Sequence, residues 1–218
     1  MFCHKGLIHY QYIVSEITVS KSTQLAKPQS TTHTSGLLRG KSPSDVIKDV
    51  LAVLRARWYF RRATECGPKV RLWGKAAVTN YGQLLVGDRA RLVGTIVPLE
   101  LYVNGGATLE IGAGSFINYG CSIAASKLVR IGPRCNIGTY AIIMDNDFHR
   151  LEPERRDERP ESAPIVLEEN VWLGARVTIL RGVTIGAGSV IGAGSVVTKD
   201  IPPRSLAAGM PARVIRQL

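Results

Sequence analysis

The stretch "VWLGARVTILRGVTIGAGSVIGAGSVVTKD", Val171 to Asp200, counts in sixes. A large aliphatic residue returns at Leu173, Ile179, Ile185, Ile191 and Val197. Glycine follows it at Gly174, Gly186 and Gly192, and a smaller side chain stands four places after it at Val177, Val183, Ser189 and Ser195. A helix repeats every 3.6 residues and a strand every 2, so neither gives this beat. A tight coil with three short sides does. The aliphatic residue points inward, glycine or a polar residue turns the corner, and the smaller side chain fits beneath.

The beat extends back through Leu167 to Ile131, Ile137 and Ile143, and, after a two-residue slip, to Ile111, Ile117 and Ile123. Its small companions there are Ser115, Cys121, Cys135, Ala141 and Val171. Stacked turns of this kind hydrogen-bond as parallel sheet and bury a continuous aliphatic column. The expected fold is therefore all-β, a parallel β-helix. Further back, "KVRLWG" (69–74) and "QLLVGDRARLVG" (83–94) read as short strands broken by turns, which carries the coil to about residue 70.

Upstream lies "SPSDVIKDVLAVLRARWYFRRA", residues 42–63. Ser44 is a candidate N-cap, and Ile47, Val50, Leu51, Leu54 and Trp58 recur at helical spacing, with arginines toward the C-terminal end. This predicts an amphipathic helix whose apolar stripe covers the open end of the coil. Peripheral contact with an anionic membrane through residues 43–63 is the alternative. The expected organisation is an irregular, poorly ordered basic arm over 1–42, the amphipathic helix segment over 43–66, and a β-helix domain over 67–218 with an extruded loop at 146–164.

Of the net charge of +11, residues 1–72 carry +8 and the remainder +3. Such a balance attracts acidic partners, yet no nucleic-acid motif accompanies it, and the basic segment reads as a solvated arm. Cys3, Cys66, Cys121 and Cys135 show neither disulfide nor metal spacing; Cys121 and Cys135 fall on small core positions and read as reduced. No apolar run approaches the ~20 residues of a membrane span, and no signal-peptide core is evident. A cytoplasmic location is expected.

The beat fails at "IIMDNDFHRLEPERR", Ile142 to Arg156, where charges crowd in and one histidine, His149, appears. An imidazole titrating near neutrality suits proton abstraction. Asp145 or Asp147 is placed to hold its tautomer.

Residues 105–218, above all "NVWLGARVTILRGVTIGAGSVIGAGSVVTKDIPP" and "AGMPARVI", resemble the hexapeptide-repeat O-acetyltransferases, the group that includes galactoside, maltose and nodulation-factor acetyltransferases. The resemblance implies a left-handed β-helix, a homotrimer with active sites between subunits, acetyl-CoA as donor, and no metal. It places His149 as general base at the root of the extruded loop and Asn118 in the acceptor pocket. It sets Trp172 beside the CoA arm and Gly174, Ala175, Gly192 and Ala193 along the pantetheine. Thr198, Lys199, Arg213 and Arg216 match positions near the nucleotide end, where cations meet phosphates. The short N-terminal acceptor segment of the disaccharide enzymes is not evident. The expected acceptor is therefore a sugar hydroxyl of a surface polysaccharide or a lipid-linked saccharide, with N-acetylation of an amino sugar or nucleotide-linked sugar as the alternative. A non-catalytic scaffold is a second alternative. A zinc carbonic anhydrase of this architecture needs three histidine ligands, and only His149 lies within the coil.

Overall fold

The computed structural model describes residues 42–218. The expected arm over 1–42 lies, but for its last residue, outside them. From Ile47 to Leu218 the chain forms one unit, distinct from the unit that ends at Val46.

The six-residue beat winds the chain into a three-faced coil. The first face stacks β1 (Glu65–Cys66), β3 (Gln83–Val86), β5 (Thr108–Ile111), β8 (Leu128–Ile131), β11 (Ile165–Leu167) and β14 (Thr184–Ile185). The second stacks β6 (Phe116–Ile117), β9 (Asn136–Ile137), β12 (Trp172–Leu173), β15 (Val190–Ile191) and β17 (Ser205–Gly209), with β18 (Ala212–Gln217) antiparallel at its end. The third stacks β7 (Ser122–Ala125), β10 (Ile142–Met144), β13 (Thr178–Ile179) and β16 (Val196–Val197).

Every beat residue lands in register on its equivalent. Ile111 pairs Ile131, which pairs Leu167 and then Ile185; Ile117, Ile137, Leu173 and Ile191 form a second column; Ile123, Ile143, Ile179 and Val197 form a third. All are buried, as are the small companions beneath them. Each such aliphatic side chain contributes about 1.5–3 kcal/mol of burial, which makes the columns the main source of stability.

Toward the N-terminal end the pattern departs from six. Strands β2 (Arg71–Asn80) and β4 (Arg91–Val103) are long and pair with one another across both the second and third faces. Strand β4 pairs β6 through Arg91 and Leu92 and β7 through Glu100 to Val103. The bend is possible because Gly74 has φ +87° and Gly94 lies against the carbonyl of Lys75; a Cβ at Gly94 would overlap that oxygen.

Helix α1 (Pro43–Tyr59) precedes the coil. Its cap is Ser42, not Ser44: the Ser42 hydroxyl accepts a hydrogen bond from the Asp45 amide at 3.2 Å. The segment expected as helix over 43–66 divides, because the helix ends at Tyr59 and Glu65–Cys66 already pair with Leu85–Val86 as the first strand of the coil.

The expected capping by the apolar stripe is not what the structure shows. Ala56 and Phe60 join the core, while Ile47, Val50, Leu51, Leu54 and Trp58 are 51–61% exposed. The smooth alanine face lets the helix backbone approach the coil closely, and the bulky stripe turns outward.

Candidate active site

The loop that breaks the beat leaves the edge between the third and first faces. Its root is fixed by Asp145, 1% exposed, whose carboxylate accepts the amides of Ser126 (2.7 Å), Lys127 (2.7 Å) and Leu128 (2.8 Å) in the coil below. The Asn146 side-chain amide donates to the Ser126 hydroxyl, Asn146 bridges to Ser162, and the Ala163 amide donates to the Asp145 carbonyl. The loop therefore closes at 145–163, one residue earlier at each end than the 146–164 expected. Beyond its neck, Asp147 accepts from Arg181, and Arg155 grips Glu158 through a fork of hydrogen bonds that holds the Glu158 carboxyl below the ordinary carboxylate range.

His149 stands exposed on this loop. Its Nδ1 lies 3.2 Å from the carbonyl oxygen of Arg156. A carbonyl only accepts, so this contact favours the tautomer with the proton on Nδ1 and the lone pair on Nε2. Neither Asp145 nor Asp147 holds the imidazole: the first is consumed by the loop root and the second by Arg181. No sequence signal marks a backbone carbonyl, which is why the orienting group is visible only in the structure.

The other predicted residues divide between two edges of the prism. Asn118, Gly174, Ala175, Gly192 and Ala193 line the edge between the second and third faces, where the Asn118, Gly138, Gly174 and Gly192 amides each donate to the next coil. Trp172 projects, half-buried, from the second face beside that edge. The Asn118 Oδ1 accepts from the Tyr119 amide at 2.9 Å, while Nδ2 has no partner among the described residues and can donate to a ligand oxygen. Arg213 and Arg216, both exposed, lie on β18 at the end of the same sheet. Thr198 and Lys199, by contrast, follow β16 on the edge that carries the His149 loop. A single chain thus groups eight of the residues on one side and leaves His149, Thr198 and Lys199 on another.

One feature of the Asn118 edge escaped the sequence reading. Tyr119 and Tyr140 meet edge-to-face at 5.6 Å, and the Arg176 guanidinium lies 5.7 Å from the Tyr140 ring centre. Tyr140 (φ 58°) and Arg176 (φ 57°) occupy the left-handed corner position that glycine takes at Gly120 and Gly194. Bulky residues at a corner suited to glycine were the signal that could have found this ledge.

Burial pushes the Cys121 and Cys135 thiols up to about 11, and both are free. They are core residues, as expected. Among the described residues, no cluster of three His, Cys, Asp or Glu side chains could hold a metal ion.

Residues 164–199 match the family described as bacterial transferase hexapeptide (six repeats). The chain is 35% identical over 180 residues to galactoside O-acetyltransferase of Escherichia coli K12, an alignment covering 76% of this chain and 87% of that protein. It is 32% identical over 191 residues to nodulation protein L of Rhizobium meliloti, covering 87% and 99%. The structure of a hexapeptide-repeat acetyltransferase from Vibrio cholerae, solved with acetyl coenzyme A, superimposes with a TM-score of 0.54 at 35% identity, over 61% of this chain and 69% of that one. A solenoid of this kind with relatives of this extent is a transferase of the hexapeptide-repeat class. The chain belongs to the hexapeptide-repeat acetyltransferases, and its coil is their left-handed β-helix.

Proposed function

We propose that this protein transfers an acetyl group from acetyl-CoA to a hydroxyl of a saccharide acceptor, as a homotrimer whose sites form where the His149 edge of one subunit meets the Trp172 face of the next. The observation that carries the reading is the state of His149: Nδ1 is held by the Arg156 carbonyl, and the ring stands on an exposed loop with Nε2 available. In one chain the base and the residues matching the donor groove occupy different edges, so a second copy is needed to bring them together.

The residues present suit the donor. Trp172 offers a flat apolar wall, the glycine and alanine edge beside it admits a narrow chain, and Arg213 and Arg216 supply positive charge for phosphates at the far end of the same sheet. Thr198 and Lys199 approach that end from the neighbouring subunit. Acetyl-CoA supplies an activated thioester carbonyl. His149 Nε2 takes the acceptor proton as its oxygen attacks that carbonyl. The Arg156 carbonyl stabilises the imidazolium through Nδ1–H, and Nε2 then returns the proton to the departing thiolate. Asn118 Nδ2 donates to the acceptor and orients it.

The test is CoA release from acetyl-CoA across a panel of saccharides and amino sugars, with wild type and His149→Ala. Release should depend on acceptor and fall about 10²–10⁴-fold in the variant. Alkali-labile product marks an ester; alkali-stable product would shift the reading to N-acetylation. Equal rates for the two proteins would remove His149 as base.

A further inference from the structure

Helix α1 carries an exposed apolar stripe of five residues on the side away from the coil: Ile47, Val50, Leu51, Leu54 and Trp58. At helical spacing they fall within an arc of about 100°. Arg57 borders one side of that arc and Arg55 the other, the Arg55 guanidinium donating to the Leu72 carbonyl at 3.4 Å, and Arg61 and Arg62 follow at the helix end, where the Arg61 guanidinium lies 4.7 Å from the Trp58 ring centre. Asp49 is the one acidic residue between Ile47 and Arg62, and it faces the packed side, 3.8 Å from Arg71. Just past the helix opens a cleft of about 210 Å³ lined by Tyr59, Arg61, Arg62, Asn80 and Tyr81, among others.

We infer that this end of the protein docks on an anionic phospholipid surface. The stripe inserts into the boundary between headgroups and acyl chains, Arg57 reaches the phosphates, and the cleft with Arg61 and Arg62 receives one headgroup. Three features select lipid over a second protein copy. Cations bound the stripe on both sides, no acid stands on the exposed face, and a tryptophan ends the stripe beside an arginine. A copy of this chain would bring a like-charged face to the contact. The inference stands on the helix and the cleft beside it and does not depend on the acetyl-transfer reading.

The full chain should co-sediment with vesicles containing one quarter phosphatidylglycerol in phosphatidylcholine, and not with phosphatidylcholine alone. Raising the salt to about 0.5 M should release it, because charged contacts of this kind are screened. Leu51→Asp with Leu54→Asp, and separately Arg57→Glu with Arg61→Glu, should each weaken binding at least about tenfold. All four positions are exposed, so thermal melting and acetyl-CoA binding should stay at wild-type values. As a check that needs no charge substitution, the blue shift of tryptophan emission on vesicles should be lost in Trp58→Phe. Absence of binding to the anionic vesicles overturns the inference, as does equal binding by wild type and the Leu51/Leu54 variant, which would place the contact elsewhere in the chain. A change in particle mass on introducing those aspartates also overturns it, since the stripe would then be an interface between copies.

Discussion

Replacing Asp145 separates two accounts of the histidine loop. The buried carboxylate accepts three backbone amides, two on Oδ2 and one on Oδ1. Removing it in Asp145→Ala leaves three donors unanswered, each costing about 1–3 kcal/mol when buried. These amides are only partly buried, so water recovers some of the loss and the total comes to about 3–4 kcal/mol. Asp145→Asn keeps the shape, and its single oxygen can still serve Lys127 and Leu128, but its NH2 faces the Ser126 amide donor to donor. That variant should lose about 1–2 kcal/mol. For a chain of this length, 1 kcal/mol moves the melting temperature by about 2–4 °C, so Asp145→Ala should melt roughly 10 °C low. Calorimetry reads the total, and amide hydrogen exchange at residues 126–128 localises it. Had Asp145 served only to orient the imidazole, both variants would melt as wild type and lose turnover alone. Melting of Asp145→Ala within about 2 °C of wild type would refute the anchoring role.

Further outcomes follow from the same geometry. Cys121 and Cys135, protonated up to about 11, should resist a thiol reagent at pH 8 until the protein unfolds, while exposed Cys66 reacts. Because the unfolded thiols lose their protons near 9 and the folded ones near 11, stability should fall as pH rises across that window, with a shallower slope in Cys121→Ala. Gly94→Ala, whose methyl meets the Lys75 carbonyl, should cost at least about 2 kcal/mol by denaturant titration; a neutral result would mean that the bend between β2 and β4 is not tightly held. Arg213→Ala with Arg216→Ala should weaken acetyl-CoA binding about tenfold by calorimetric titration and leave the melt unchanged, since both side chains are exposed.

The coil was legible because its inward column repeats from Ile111 to Val197 with only one slip and one loop to interrupt it, and each of those residues is buried. Nothing in a helix or a strand reproduces that count. Where the repeat lengthens, in β2 and β4, the sequence showed strands but not that each would cross two faces, because that crossing depends on a close backbone approach at Gly94. The helix misled for a different reason. Spacing reports which residues share a face, not whether that face meets protein, and here Ala52, Ala56 and Phe60 were buried instead of the stripe. At the site, His149 was marked by its isolation in a charged loop. Its orienting partner was not, since the Arg156 carbonyl is a backbone group. Asp145 reads in sequence like any loop acid, and only the three amides beneath it reveal a structural role.

The proposed shared site is tested most directly by mixing His149→Ala and Trp172→Ala subunits in equal amounts under conditions that exchange subunits. Each variant alone carries one damaged half in every site. In a random mixture, about one interface in four joins an intact His149 edge to an intact Trp172 face, so about a quarter of wild-type acetyl transfer should return. Activity no greater than the average of the two single variants would contradict a site built from two subunits.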